Sequence, residues 1–451
     1  MLTSFPAAVE SQFAALMSLG GERAPAFFSV ISIISLLLMV ASLGMRLGLD
    51  ATGAWWVAAL SATMPALYRG AYGGYIDVVV AGFVLAAARI AFDAIELREY
   101  VLFGIFCGIS MGSKYTTLIS WALLVSCALL IAVLARRQSA YICVKYLAIS
   151  CAVAIAVASP CYLRNWIFFG FPIYPPPPGL LRIFPATRAL PGVLETIQKA
   201  IQETGGGMGS DWWHFFLLPF NLTYHTANFR GAGGIGLAPL GLAPIGIIAC
   251  RRNAVAKGLV VFALMQMGAW FATTQESRYA IPIYALAAIF AVLGWRYVAK
   301  EGSKYARMLA GLVVTCSIFY GLWMIIPARV DDMHAVVSAS FEDKRRHAEI
   351  PYLESFEYLN GEPSVSKVLI LGPYVAAFYS DKAYLKPLGR WGEETLPNAT
   401  SVEAVISRLH ELHVSHVLDV LPEYGPLKLP VKTPGLTLVF QRENQKVYRV
   451  D

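Results

Sequence analysis

Charged residues are scarce in this chain. Asp, Glu, Lys and Arg make up only 14% of its 451 residues, whereas about 25% is usual for a soluble globular domain. Hydrophobic residues account for 57%, above the usual range of roughly 45–50%, and they are concentrated in long runs. This composition excludes an ordinary soluble protein and indicates an integral membrane protein.

Other patterns are missing as well. There is no Gly-rich phosphate loop, RNA-binding signature or basic low-complexity tail, so the net charge of +7 indicates basic loops beside a membrane and no nucleic-acid partner. There is no CxxC pair, and the seven cysteines lie in or beside apolar segments, which favours buried apolar residues over disulfides or metal ligands. The N-terminus has no basic region before an apolar core, which excludes an ordinary signal peptide.

The apolar runs predict an α-helical polytopic membrane protein with about ten membrane segments. The approximate segments are 26–45, 54–67, 75–92, 101–111, 115–134, 141–158, 236–249, 255–272, 279–298 and 308–326. Several are short for a span, and Gly112, Ser113 and Lys114 interrupt the fourth and fifth. Short pieces of this kind can be half-spans or helices packed inside the bundle.

Basic clusters orient these segments. Arg and Lys gather in three loops that are separated by even numbers of segments, near residues 136–145, 251–257 and 296–307. By the positive-inside rule this side is the cytoplasm. Alternation then predicts the outer side for the remaining polar pieces, which are residues 1–23, 68–77, 112–114, 159–235, 273–278 and the C-terminal region.

Two regions flank the membrane part, which is predicted to cover residues 26–326. Residues 1–25 carry apolar side chains at helical spacing and predict an amphipathic helix on the outer face. The polar composition after Pro327 predicts a linker over 327–348 and a small extracytoplasmic α/β domain over 349–451. The expected elements of that domain are a strand at 367–372, a helix at 402–412, a strand in HVLDVL and a hairpin of LTLVF with KVYRV.

Ionisable residues lie at the outer ends of several segments: Asp77, Lys114, Arg164 and the pair Glu276 and Arg278. Charge within or beside a span is costly and by default indicates function. Each position also has a structural alternative. Asp77 could cap its helix, Lys114 could extend to the interface, and the others could be interface anchors or ion-pair partners. Because these residues are all predicted on one face of the membrane, a shared functional site is favoured over separate structural roles.

The residue types on this face suit a phosphate-bearing lipid. Arg contacts phosphate oxygens in a bidentate way, and Lys acts as a point charge. Aromatic side chains suit sugar rings or acyl chains, although Trp212 and Trp213 are equally typical of an interfacial aromatic belt. A carboxylate suits a divalent cation or a general base. Together these residues predict a site for a lipid-linked phosphate substrate.

Four stretches resemble a known class of enzymes, in the order PALYRGAYGGYIDVVVAGF, GISMGSKYTTL, SPCYLRNWIFFGFPIYP and ESRYAIPIYAL. Over roughly residues 5–326 the chain resembles the GT-C class of multi-spanning glycosyltransferases. It is most similar to the bacterial members related to protein O-mannosyltransferases, which include lipid A aminoarabinose transferases. The C-terminal region resembles the extracytoplasmic domains that many of these proteins carry. The resemblance implies transfer of a sugar from a polyprenyl-phosphate carrier to a lipid, glycan or protein acceptor, on the non-cytoplasmic face of a bacterial inner membrane.

The resemblance also implies roles for individual residues. It places Asp77 in catalysis, where it could also bind a divalent cation (Mg, Mn or Zn). It places Lys114 and Arg278 near the donor phosphate, and Arg164 and Asn165 match the Arg–Asn that opens the large outer loop. The remaining residues expected at the substrate are Tyr75, Tyr115, Glu276 and Tyr279.

The N-terminus departs from the family pattern. The family usually begins with a further span and an outer loop whose acidic residue is the usual candidate for base or metal ligand. This chain begins at FPAAVESQF, where that loop would end, which predicts that both are missing and that this form could be inactive. Neither nearby carboxylate is expected to replace that acid, because Glu10 lies on a plausible amphipathic helix and Glu22 lies beside a turn.

Two alternatives to a glycosyltransferase stay open. A transporter or flippase of lipid-linked saccharides would be expected to show inverted repeats and charges near the middle of spans, and neither is clear in this sequence. A non-catalytic partner in polysaccharide assembly would agree with the unusual N-terminus.

Overall fold

The structure is a computed structural model, and it describes residues 8–20, 23–72, 76–134, 139–173, 207–209, 211–229, 234–273, 275–326, 353–371, 380–385, 402–419, 434–442 and 445–451. The chain divides into two compact units. One unit is helical and reaches to Pro327, and the other is formed mainly by the residues from Ala328 onward.

α-Helices account for most of the described residues of the first unit. In chain order they are α1 (Ala8–Gly20), α2 (Arg23–Arg46), α3 (Ala51–Ala62), α4 (Pro65–Tyr72), α5 (Asp77–Ala91), α6 (Leu97–Ser113), α7 (Thr117–Leu134), α8 (Ala140–Phe169), α9 (Trp212–Phe216), α10 (Leu218–Tyr224), α11 (Leu237–Ala249), α12 (Ala254–Phe271), α13 (Ile281–Glu301) and α14 (Lys304–Ile325). Short 3-10 turns at Thr226–Phe229 and Ser277–Ala280 precede α11 and α13. Their buried apolar side chains form one continuous core.

Five stretches of helix in the described residues are long and apolar enough to cross a membrane, so the chain is a multi-pass membrane protein. They are Phe27–Arg46, Ala140–Phe169, Ala254–Phe271, Ser277–Glu301 and Lys304–Ile325. The helices of the other predicted segments are not among these five stretches, so the count of about ten is not confirmed. At 54–67, for example, α3 ends at Ala62 and α4 begins with Pro65. Proline lacks an N–H and favours the first turn of a helix.

Helix α8 is longer than predicted. The sequence pattern ends this segment at residue 158, but the helix continues past Pro160. It ends at Gly170, whose φ of 73° is the left-handed conformation that glycine adopts easily at a helix end. The prediction that the outer loop begins directly after residue 158 is therefore wrong, and Arg164 and Asn165 lie on the last turns of a helix.

Helices α11 and α13 pack with their backbones in contact. A Cβ at Gly246 would lie 1.9 Å from the carbonyl oxygen of Phe290, and a Cβ at Gly294 would lie 2.1 Å from that of Leu242. In membrane helix bundles small residues allow this close approach, and van der Waals contact then drives association. The two glycines therefore hold α13 against α11.

We expect Gly294→Ala to destabilise the folded protein. The added methyl group would overlap the backbone of Leu242, and overpacking of this kind costs about 1–3 kcal/mol. Gly311→Ala is the matched control, because nothing lies within 4 Å of a Cβ at that helical position. Thermal unfolding in detergent should give a lower midpoint for Gly294→Ala alone. Equal unfolding midpoints for both variants would contradict the claim that the close contact of α13 with α11 at Gly294 stabilises the fold.

The C-terminal unit contains a five-stranded mixed sheet with the order β2-β1-β3-β5-β4. The elements are α15 (Leu353–Gly361), β1 (Lys367–Leu371), β2 (Ala383–Leu385), α16 (Val402–Glu411), β3 (His416–Asp419), β4 (Leu436–Arg442) and β5 (Gln445–Val450). Strands β2 and β3 run parallel to β1, whereas β5 is antiparallel to both β3 and β4. Phe356 of α15 packs on one face of the sheet and Leu409 of α16 on the other.

The structure confirms the main predicted elements of this unit, which are β1, α16, β3 and the hairpin of β4 and β5. It adds α15 and β2, which the sequence analysis missed. Strand β2 has only three residues, too few for an alternating pattern to be recognised.

Candidate active site

Asp77 and Lys114 form a buried ion pair. Asp77 is the first residue of α5, and Lys114 directly follows α6. The Nζ of Lys114 donates a hydrogen bond to Oδ1 of Asp77, and the two side chains are only 17% and 5% exposed. Ile76 occupies the N-cap position of α5, and among the described residues no side chain caps this helix end. Asp77 therefore does not cap its helix, and its carboxylate binds Lys114.

Tyr279 connects this ion pair to a second one. The Nζ of Lys114 lies 3.4 Å from the centre of the Tyr279 ring, a cation–π contact. The Nη2 of Arg278 donates to the hydroxyl of Tyr279 at 3.2 Å, and its Nε donates to Oε2 of Glu276 at 2.8 Å. One tyrosine thus touches both cations, and each cation also binds a carboxylate.

A 3-10 turn positions the second pair at the start of α13. The indole Nε1 of Trp270 donates to the backbone oxygen of Glu276 at 2.8 Å. The hydroxyl oxygens of Ser277 and Tyr284 lie 2.9 Å apart, within hydrogen-bond distance. These buried contacts fix the backbone from which the Arg278 side chain extends.

Asn165 links the end of α8 to the same region. The Nδ2 of Asn165 donates to the hydroxyl of Tyr115 at 2.6 Å and to the backbone oxygen of Pro172 at 3.2 Å. Its Oδ1 accepts from Nε and Nη2 of Arg164 at 3.3 and 3.2 Å. Because Asn165 is fully buried and Tyr115 directly follows Lys114, this amide positions the segment that carries the lysine.

The charged side chains line a small polar cavity of about 20 Å³. Its walls include Asp77, Lys114, Arg278 and Tyr279. A cavity of this size has room for about one water molecule. The polar cavity is therefore compact.

Gln266, which was not predicted from the sequence, also lines this cavity. Gln266 is only 7% exposed, and its Oε1 is buried without a hydrogen-bond partner among the described residues. An unpartnered buried carbonyl can accept a hydrogen bond from a bound molecule. The available signal was a lone polar residue in the apolar run VVFALMQMGAW, since polar residues within a span are costly.

The structure brings together most of the residues predicted for the site. Asp77, Lys114, Arg278 and Tyr279 line one cavity, and Glu276 binds Arg278 beside it. The other three described residues, Tyr115, Arg164 and Asn165, do not line this cavity but are joined to Lys114 through the chain. Tyr75 lies outside the described residues.

The fit to a divalent cation depends on Asp77. Its carboxylate binds Lys114, so a cation would have to displace that ammonium group. Within the part of the chain that the structure describes, no group of three or more His, Cys, Asp or Glu side chains could hold a metal ion. Metal binding by Asp77 therefore stays a prediction.

Trp212 and Trp213 stack on each other in α9, with ring centres 4.1 Å apart. Both are 61% exposed, and neither lines the polar cavity. Their exposure is typical of an aromatic belt at a membrane interface.

A second, apolar cavity of about 300 Å³ lies among helices α10 to α13. Met267 and Ile283 line it, whereas their chain neighbours Gln266 and Pro282 line the polar cavity. The same two helices therefore form walls of both cavities. The apolar one has the size and the lining typical of a site for hydrocarbon.

Solved structures of similar fold are membrane glycosyltransferases. Crystal structures of the aminoarabinose transferase ArnT from Cupriavidus metallidurans, one apo and one bound to undecaprenyl phosphate, are 12% identical to this chain. Each has a TM-score of 0.59, and the match covers 96% of this chain and 85% of ArnT. The Archaeoglobus fulgidus oligosaccharyltransferase, crystallised with Zn and sulfate, is 16% identical with a TM-score of 0.50. That match covers 88% of this chain and 56% of the other.

Neither a known protein family nor a curated protein matches the sequence. The chain nevertheless has the GT-C fold of these structural neighbours. The resemblance stated from the four sequence stretches is thereby confirmed at the level of the fold.

Proposed function

We propose that this chain is a membrane glycosyltransferase. It moves a sugar from a polyprenyl-phosphate-linked donor to a hydroxyl acceptor on the non-cytoplasmic face. One observation carries the proposal: Lys114 and Arg278 contact the ring and the hydroxyl of Tyr279, in a cavity that Asp77 also lines.

Two adjacent cations suit a phosphate leaving group. When the bond between the sugar and the phosphate oxygen breaks, negative charge builds up on the phosphate. Fixed donors such as Lys114 and Arg278 stabilise that charge in a site that excludes water, and removing one such donor typically costs about 10²–10³ in rate. The ArnT structure bound to undecaprenyl phosphate supports the choice of donor.

The apolar cavity supports a donor with a long hydrocarbon chain. It shares α12 and α13 with the polar cavity, through the neighbouring pairs Gln266 with Met267 and Pro282 with Ile283. A polyprenyl chain in the apolar cavity would hold the phosphate of the same molecule near the cations. Binding energy from the chain would then position the reacting bond.

The proposed side of the membrane rests on the distribution of basic residues. The three basic loops mark the cytoplasmic side, which leaves the ends of α6 and α8 and the start of α13 on the outer side. The C-terminal α/β region is proposed to lie there too. The acceptor would be a cell-envelope lipid, glycan or protein, and the membrane would be a bacterial inner membrane.

The proposed reaction includes an optional divalent cation at the phosphate. The archaeal oligosaccharyltransferase structure contains Zn, and a bound cation would offset charge on the phosphate. Asp77 is the described side chain that would hold it, once Lys114 has moved to the phosphate. A stimulation of transfer by Mg, Mn or Zn after treatment with a chelator would support this option.

The proposal is tested in membrane vesicles that contain the protein and radiolabelled polyprenyl-phosphate sugars. We expect label to appear in an envelope lipid, glycan or protein, and to be absent in vesicles without the protein. Movement of labelled donor across the bilayer without transfer would indicate a flippase. No transfer from a panel of pentose, hexose and amino-sugar donors would overturn the proposed function.

A further inference from the structure

The N-terminal helix α1 packs beside the end of α6. A Cβ at Gly112 would lie 3.6 Å from the Cβ of Ala8, in ordinary contact. The next residue, Val9, is fully buried, whereas Glu10 is exposed. Since Gly112 lies two residues before Lys114, the first turn of α1 is placed at the edge of the candidate active site.

Glu10 lies within electrostatic range of the buried ion pair. Lys114 attracts its carboxylate, and Asp77 repels it. Among the described residues no cationic nitrogen lies within 4.0 Å of Glu10.

The other two carboxylates of the site have partners. Asp77 binds Lys114 and Glu276 binds Arg278. Oδ1 of Asp77 and Oε2 of Glu276 each accept a hydrogen bond from one of these cations. Among the described carboxylates of this site, Glu10 therefore differs in having no cation within 4.0 Å that would compete with an acceptor hydroxyl for its oxygens.

The environment of Glu10 also suits a base. Desolvation by the surrounding protein raises the pKa of its carboxyl, and the negative charge of Asp77 raises it too. A backbone hydrogen bond and the positive charge of Lys114 lower that pKa, but the net change is an increase. Catalytic efficiency is greatest when the pKa of a base approaches the working pH. Glu10 also keeps exposed surface, which an acceptor needs in order to reach it.

We infer that Glu10 is the catalytic base of the proposed transfer reaction, on which this role rests. The acceptor hydroxyl oxygen forms a bond to the anomeric carbon of the sugar, and the bond from that carbon to the phosphate oxygen breaks with its electron pair. The hydroxyl proton moves to an Oε of Glu10, and polyprenyl phosphate leaves. Lys114 and Arg278 hold the departing phosphate while the proton moves.

From the sequence alone, Glu10 was not expected to have a catalytic role. Glu10 lies in the first turn of the helix α1, and the amphipathic character predicted for this helix stays a prediction. The sequence could not show that the first turn of this helix lies beside the end of α6, because the two segments are far apart in the chain.

Glu10→Gln tests the role. We expect the turnover number to fall by about 10²–10⁴, the usual contribution of a positioned base. The affinity for undecaprenyl phosphate in detergent should stay unchanged, because Glu10 does not hold the phosphate. Glu10→Asp should recover part of the rate. The wild-type rate should rise with pH through the raised pKa of Glu10, since the base must be deprotonated, and Glu10→Gln should lose that limb of the profile.

The matched control is the double variant Glu10→Gln/Gln12→Glu. It keeps the charge and composition of α1 but moves the carboxylate to the exposed position 12, about 200° around the helix. It should be as inactive as Glu10→Gln. Recovery of the rate would show that Glu10 acts only through net charge and would overturn the inference.

Two further results separate the failure of this role from that of the proposed function. Normal turnover in Glu10→Gln, with an active wild-type protein, would overturn the role alone. A wild-type protein that transfers no sugar from any donor would overturn both.

Discussion

The double variant Asp77→Asn/Lys114→Gln is expected to unfold near the wild-type temperature and to transfer no detectable sugar. Either single change leaves a buried charge without its partner, which typically costs about 3–5 kcal/mol. The double change removes both charges and keeps two groups that can hydrogen bond. Stability should therefore return, whereas the cation at the phosphate and the carboxylate beside it stay absent.

The comparison needs the two single variants, the double variant and wild-type protein, each measured by thermal unfolding in detergent and by initial transfer rate. A matched control is Arg46→Gln/Asp93→Asn, which removes another ion pair, beyond the opposite end of α5. This control should leave the transfer rate nearly unchanged. If transfer returned together with stability in Asp77→Asn/Lys114→Gln, the buried ion pair would be purely structural. The proposal that Asp77 and Lys114 take part in transfer would then be overturned.

Arg278→Gln is expected to lower transfer by about 10²–10³, the effect of removing one donor that stabilises a developing oxyanion. Arg278→Lys should recover only part of the rate, because an ammonium group keeps the charge but not the planar fork that suits phosphate. The initial rate at saturating donor separates this effect from weaker donor binding. Thermal unfolding should accompany these rates, because Arg278→Gln removes the cation that binds Glu276, whose side chain is only 11% exposed, whereas Arg278→Lys keeps a positive charge there.

Arg296→Gln provides the control on the same helix. Arg296 lies near the other end of α13 and binds Asp50 on the surface, and surface pairs of this kind contribute about 0–1 kcal/mol. Asp50 also accepts a hydrogen bond from the backbone N–H of Gly53 at the start of α3, so it keeps a partner. A loss of transfer in Arg296→Gln equal to that in Arg278→Gln would point to a general effect of arginine removal.

The sequence predicted the character of the site better than its contacts. Costly charges at the ends of apolar runs were enough to select Asp77, Lys114 and Arg278. Their arrangement around Tyr279 was not predictable, because it depends on the packing of α5, α6 and α13, which are distant in the chain. Gln266 was missed for a related reason, since only packing shows that its helix faces the cavity.

The fold shows the same limit. Alternation of apolar residues was enough to find β1 and the final hairpin, because strands with one buried face repeat every second residue. The end of α8 was predicted too early, because a proline usually ends a helix. In a membrane bundle, however, neighbouring helices can satisfy the backbone groups that a proline frees, so that the helix continues. Short helices such as α3 and α4 were merged, since a continuous apolar run does not show where the helix axis turns.

The two ion pairs of the site have a consequence for turnover. Asp77 with Lys114 and Glu276 with Arg278 sum to zero charge, so the empty cluster is close to electroneutral. In the proposed reaction the sugar phosphodiester would add one negative charge, and the released lipid phosphate would carry up to two. Charge interactions strengthen as the dielectric constant falls, so Lys114 and Arg278 would attract the second charge while Asp77 and Glu276 would repel it. In the proposed reaction, these opposing terms would limit how tightly the cluster holds the product after transfer.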